Sequence, residues 1–169
     1  MPLSKDYEFS SERLRFRGIA EEDAELIVEW RSNPENYRNF FNARPITLEE
    51  HLAWFGRYLD DSSRYDFMVI DSDGRRIGTV GLSRIGEPHG SCEISYMIGD
   101  VSARGKGYAS EAVRALTDVA FSELDVASVD ARIVAGNDAS CRVVLAAGYA
   151  EVEQVFRVQR GALPWRACS

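Results

Sequence analysis

The stretch Gly99-Asp100-Val101-Ser102-Ala103-Arg104-Gly105-Lys106-Gly107-Tyr108-Ala109 decides the fold. It joins two segments of different period. Before it, Ser91 to Ile98 alternates as a β-strand does. After it, Gly107 to Ser122 reads as a helix whose apolar face is Ala109, Ala112, Val113, Leu116, Val119 and Ala120. Glycines at such a junction let backbone N–H groups approach a bound group closely. The helix start adds its unsatisfied N–H groups and the positive end of its dipole, and Arg104 and Lys106 add charge. Together these make a cradle for a phosphate or pyrophosphate. The same residues also suit a plain connecting turn, and both readings stand at this level. A Walker loop is excluded because Gly107 follows Lys106 where Ser or Thr is required. A dinucleotide fingerprint fits poorly, since Ser110 occupies the place of the third glycine or alanine.

Outward from this junction the chain alternates between the two periods, which predicts an α/β (α+β) domain. Leu14 to Ile19 reads as a strand and Ala20 to Arg31 as a helix with an acidic start, stopped at Ser32-Asn33-Pro34. Thr47 and Glu50 have the spacing of a capping box. The helix they open is expected to present Leu48, Leu52, Phe55 and Leu59 on one face. Tyr65 to Asp71 and Arg76 to Arg84 read as strands around the turn Ser72-Asp73-Gly74. Gly86 to Gly90 is a loop. Val129 to Val134 is a strand, Ser140 to Ala147 a short helix and Val152 to Arg160 a last strand. No repeat, low-complexity tract or linker interrupts the 169 residues, so residues 1–169 are expected to form one domain.

Composition narrows the function classes. Hydrophobic residues are 45% and charged residues 28%, which excludes disordered and fibrous chains. The net charge of -7 argues against a general nucleic-acid binder. No apolar run reaches the length of a membrane span, and the polar start has no signal core. Cys92, Cys141 and Cys168 are too widely spaced for a zinc site or a disulfide framework, and His51 and His89 lie far apart, so no metal is expected. A cytoplasmic location follows as an expectation. A nucleophilic Cys92 assisted by His89 is a weak arrangement, because three residues across a loop-to-strand junction do not define a nucleophile–base geometry.

Arg104-Gly105-Lys106-Gly107-Tyr108-Ala109 resembles the acetyl-CoA motif of the GNAT superfamily of N-acetyltransferases: Arg or Gln, two residues, Gly, one residue, then Gly or Ala. The following Ser110-Glu111-Ala112 is common in members similar to ribosomal-protein N-terminal acetyltransferases. A second block, Asn137, Ser140 and a helix ending at Gly148-Tyr149, is similar to another family pattern, and Cys92 to Ile98 looks like the strand that carries the cofactor. The resemblance runs from Leu14 to about Gln154 and implies a central twisted, mixed, mostly antiparallel sheet flanked by helices and splayed for acetyl-CoA. It implies that the backbone of the strand, Met97 and Ile98 included, pairs with the pantetheine arm. Backbone N–H groups from Arg104 through Gly105, Lys106, Gly107 and Tyr108 to Ala109 would hold the pyrophosphate, with Asn137 and Ser140 near the arm. Ser140 is equally readable as an N-cap.

The resemblance implies direct transfer of the acetyl group to a neutral amine in a ternary complex, aided by a base and by a backbone donor to the thioester oxygen. Glu93 is the candidate base, on one strand face with Ser95 and Met97; a structural strand-edge carboxylate is the alternative. The tyrosine that many members use as acid is replaced by Val144, leaving Ser140, Cys141, Tyr149 or water. Positioning alone can supply much of the acceleration. The acceptor side, Glu29-Trp30-Arg31 with Asn42 and the Leu48-Glu49-Glu50-His51-Leu52 run, resembles acetyltransferases of nucleotide-linked amino sugars in pseudaminic acid synthesis. Trp30, Arg31 and Asn42 are the candidate substrate-binding residues. Arg31, Arg38 and Arg44 suit phosphates, and Tyr37, Phe40 and Phe41 suit ring stacking. A protein N-terminus or another small amine is the alternative acceptor, and a non-catalytic acetyl-CoA-binding domain the alternative class. A monomer and a homodimer are both compatible with the sequence.

Overall fold

A computed structural model describes residues 3–88, 90–152 and 155–161. His89, Glu153, Gln154 and Cys168 lie outside the described residues. The elements in chain order are β1 (Glu8–Ser10), β2 (Arg15–Gly18), α1 (Ala24–Ser32), α2 (Pro34–Tyr37), α3 (Leu48–Asp60), β3 (Tyr65–Ile70), β4 (Arg76–Ser83) and β5 (Ser91–Ile98). They continue with α4 (Tyr108–Glu123), β6 (Ser128–Arg132), α5 (Asp138–Ala146), β7 (Ala150–Val152) and β8 (Val155–Gln159). Short 3-10 turns precede α1 at Glu21–Asp23 and α4 at Val101–Ala103.

The strands form one sheet in the order β1-β2-β3-β4-β5-β6-β8-β7. Every neighbouring pair is antiparallel except β5 with β6. Parallel neighbours need a crossover, and α4 supplies it. The pairing of β5 with β6 is confined to Ser91–Glu93 against Ser128–Asp130. Beyond Glu93 the strands part, so the sheet is splayed along Ile94–Ile98, as the resemblance implied.

Helices cover both faces. Phe16, Phe67, Val80, Leu82 and Ile94 pack with Val113, Leu116 and Ala120 of α4 on one side. Ile27 and Trp30 of α1 and Phe55 and Tyr58 of α3 pack with Met68 and Ile70 on the other. All six residues of β3 are therefore buried, as expected of a strand covered on both faces.

Three expectations are corrected. The face of α3 is rotated: His51, Phe55 and Tyr58 are buried, while Leu48, Leu52 and Leu59 are exposed. The capping box on Thr47 and Glu50 forms as expected. It fixes where α3 begins but not which stripe faces inward; packing against β3 and α1 decides that. The helix expected from Ala20 is a 3-10 turn followed by α1, because the Asp23 carboxylate accepts from the Ala20 N–H and both guanidinium groups of Arg17 and Arg76. The last strand is divided into β7 and β8, which pair with each other.

Candidate active site

Gly105 and Gly107 adopt the left-handed region, with φ of 72° and 80°. Residues with a Cβ rarely adopt this conformation. Successive amides in such a turn, beside the first turn of α4, can form a backbone nest for an anion. A Cβ at Gly105 would meet only open space, so a close approach is available there.

The turn is held from behind. Glu111, on the first turn of α4 and nearly buried, accepts hydrogen bonds from Ser11 Oγ (2.6 Å), the Arg13 N–H (2.8 Å) and Arg13 Nε (2.7 Å). Arg13 Nη1 then donates to the Lys106 carbonyl at 2.9 Å, and its guanidinium lies over the Tyr108 ring. Burial raises the Glu111 pKa, but the bonds from Ser11 and Arg13 outweigh it and hold the carboxyl below its ordinary range. Glu111→Ala removes this brace. The expected result is acetyl-CoA affinity weaker by on the order of tenfold, with kcat at saturation nearly unchanged; calorimetry and initial rates measure the two.

From this turn a cavity of about 740 Å³ runs into the splay. Glu93, Met97 and Ile98 line it from β5, Arg104, Gly105, Gly107, Tyr108 and Ala109 from the turn, and Asn137 and Ser140 from α5. Among the described residues the β6-facing edge of Ile94–Ile98 has no strand partner. An extended arm can pair with that edge, and the glycine nest can hold a pyrophosphate, so the residues present fit acetyl-CoA. Lys106 is exposed and lines neither this cavity nor the next; its carbonyl is its contribution to the turn. The Arg104 side chain is committed to Asn36 Oδ1 and the Ile98 carbonyl, so it ties the turn to α2.

Asn137 caps α5, its Oδ1 accepting from the Ser140 N–H, while Ser140 Oγ accepts from Asn137 Nδ2 at 3.1 Å. The N-cap reading of Ser140 is thus corrected by one turn position: Asn137 is the cap and Ser140 its partner. Val144 is fully buried in the core and lines neither cavity. Tyr149 is buried too, bonded to Thr117 Oγ1 at 2.7 Å, and burial pushes its pKa far up. Cys141 also lines neither cavity.

A second cavity, of about 400 Å³, lies between α1, α3 and the sheet. Phe40, Ser95, Tyr96 and Met97 line both cavities, so the two meet at the middle of β5. Arg31 lines this second cavity. Trp30 and Asn42, also expected on the acceptor side, line neither: Trp30 is a core residue stacked so closely on Gly99 that a Cβ there would stand 2.2 Å from its ring, and Asn42 is exposed. Tyr96 is the residue that sequence reasoning missed. Its hydroxyl donates to the Ser140 carbonyl across the splay at 3.1 Å, and burial pushes its pKa up to about 12. The available signal was its place between Ser95 and Met97.

Glu93 sits at the closed end of the splay, where Arg132 Nε donates to its Oε2 at 2.8 Å and Arg84 Nη1 lies 3.6 Å away. Among the described residues, no cluster of His, Cys, Asp or Glu is arranged to hold a metal, and no helix is long and apolar enough to cross a membrane.

A mixed sheet opened between two parallel strands, with a glycine turn at the open end, has the architecture of an acetyltransferase domain. Residues 13–150 match the acetyltransferase (GNAT) domain, and the chain belongs to that family. It is an N-acetyltransferase. It is 31% identical over 140 residues to the uncharacterized N-acetyltransferase p20 of Bacillus licheniformis, covering 79% of this chain and 77% of that protein. It is 27% identical over 122 residues to the acetyltransferase PseH of Campylobacter jejuni, covering 72% and 73%. Among solved structures, spermidine N-acetyltransferase from Vibrio cholerae, in complex with CoA and spermine, superposes with a TM-score of 0.84 at 18% identity, covering 90% of this chain and 99% of that one. This last likeness concerns the fold.

Proposed function

We propose that the chain moves the acetyl group of acetyl-CoA directly to a primary amine within a ternary complex, the amine entering through the cavity between α1 and α3. One observation carries this reading: the cofactor-sized cleft and the second cavity share Ser95, Tyr96 and Met97, so a ligand in each would meet the other at one strand. Bound acetyl-CoA supplies an acyl thioester. The Gly105–Ala109 turn holds the pyrophosphate, and the open edge of β5 orients the arm through backbone pairing. A backbone N–H on that edge would stabilise charge at the reacting carbonyl.

The acceptor reading we favour is a nucleotide-linked amino sugar. The sequence resemblance at Glu29-Trp30-Arg31 and Leu48–Leu52 supports it, as do the aromatic and arginine side chains around the second cavity. A peptide N-terminus is the runner-up. Glu93 acts as base through Oε1, which has no hydrogen-bond partner among the described residues; a water relays the proton from the amine.

Calorimetric titration with acetyl-CoA and CoA, with NAD as comparator, tests the cofactor site. Turnover with 4-amino sugar nucleotides against N-terminal peptides then ranks the acceptors. Binding without acetyl-CoA consumption by any amine would leave a sensor instead of an enzyme. Glu93→Gln is expected to slow turnover most at low pH, where the amine is protonated and needs the base, and to converge with the wild type at high pH. Acetyl-CoA affinity stays nearly intact. Equal rates across the pH range would remove Glu93 as the base.

A further inference from the structure

The charges that line the second cavity do not balance. Arg44 Nη2 bonds Glu50 Oε1 at 2.9 Å, and Arg64 Nε bonds Asp66 Oδ2 at 2.6 Å. Arg31 is left over. It forms no ion pair among the described residues, and its Nε is buried with no hydrogen-bond partner. Its guanidinium lies 5.5 Å from the Phe40 ring, and it feels the like charges of Arg64 and Arg44 and the attraction of Asp66, which is already bonded to Arg64. Beside it, His51 is 5% exposed and its Nε2 also has no partner.

Buried polar atoms are almost always satisfied, and a half-buried guanidinium with no ion-pair partner is costly. Two side chains that carry such atoms line one cavity, and a single ligand group between the rest of the Arg31 guanidinium and the His51 ring would engage both. A ligand cation would be repelled by Arg31, and a neutral group would leave its charge uncompensated. An oxyanion satisfies both, with Arg31 as the charge partner and the His51 ring as a second donor. Burial and the nearby Arg31 charge lower the His51 pKa against the opposing pull of Asp66, which favours the neutral ring that donates through one nitrogen.

We propose that Arg31 and His51 form an oxyanion subsite in the acceptor cavity, so that the amine acceptor carries a phosphate or carboxylate on the same molecule. The proposal rests on the reading of this cavity as the acceptor site. It sorts acceptors by charge: amines with an attached anion enter, and polycations do not.

The test is titration of the CoA-saturated protein with three probes: uridine diphosphate for a phosphate, glutarate for a carboxylate and spermidine for a polycation. One of the two anions is expected to bind, more weakly as salt rises. Arg31→Gln should weaken that binding roughly ten- to a hundredfold, Arg31→Lys should recover part of it, and CoA affinity should match the wild type in both. His51→Gln should give a smaller loss. Unchanged CoA affinity also shows that each variant is folded. If CoA binds but neither anion does, if Arg31→Gln leaves anion binding unchanged, or if spermidine binds more tightly than both anions, the subsite is overturned and the transferase reading stands. If CoA itself fails to bind, the transferase reading falls first.

Discussion

Gly107→Val is expected to abolish acetyl-CoA binding in a protein that still folds. Gly107 holds φ at 80° at the N-cap of α4. For a residue with a Cβ the left-handed region costs about 1–2 kcal/mol, and a β-branched one is a clear outlier there. The backbone would rotate to relieve this, and rotation turns the amides of the turn away from the anion. A Cβ in the present conformation would also stand 3.4 Å from Arg13 Nη2, against the brace that holds the turn. Losing two charge-assisted hydrogen bonds lowers affinity by about a hundredfold or more. Gly56→Ala is the matched control: Gly56 lies in the middle of α3 with nothing within 4 Å of its Cβ position, so the change favours the helix and leaves binding alone. Calorimetry and far-ultraviolet circular dichroism read the two outcomes. A folded Gly107→Val protein with wild-type affinity would refute the anion nest.

Local signals wrote much of this architecture into the sequence. β3, β4, β5 and α4 follow directly from alternation, an Asp73-Gly74 turn and a helical apolar face. The turn that lines the first cavity was legible for the same reason, since it is a contiguous run whose backbone conformation rests on two glycines. What escaped depends on tertiary partners. The inward stripe of α3 is His51, Phe55 and Tyr58 rather than the leucines. A Tyr58 hydroxyl that accepts from the Asp66 N–H at 3.0 Å, and a histidine facing a cavity, carry no local mark of burial. The lining of the second, candidate acceptor cavity includes Arg31 and not Trp30 or Asn42, because it draws residues from α1, α3, β3 and β5. Tyr96 was invisible as a tie across the splay until the partner carbonyl on α5 was placed opposite it.

Asp23→Ala is expected to cost the most stability of any single polar substitution at this site and to damage the acceptor side first. The Asp23 carboxylate is fully buried and accepts from Arg17 Nη1 (2.7 Å) and Nη2 (2.9 Å), Arg76 Nη1 (2.9 Å) and the Ala20 N–H (2.9 Å). It therefore joins β2, β4 and the start of α1. Its removal strands two guanidinium groups, at a cost of about 3–5 kcal/mol, and lowers Tm by roughly 10 °C in a domain of this size. Burial pushes the Asp23 carboxyl up, but the bonds from Arg17, Ala20 and Arg76 outweigh it and leave the pKa below the ordinary value. A depressed carboxylate stabilises the fold fully above its unfolded pKa of about 4 and loses that contribution as pH falls through the folded value. Wild-type Tm should thus drop below about pH 4, and the variant should lack this part of the drop. Asp23 also anchors the helix that ends at Arg31 and Ser32. Loosening it frees the acceptor wall while the Gly105–Ala109 turn, held by Glu111 and Arg13, stays in place. KM for the amine should rise several-fold with acetyl-CoA affinity little changed. Equal losses on both sides would mean that α1 and the cofactor turn move as one unit, coupled through Arg104 and Asn36.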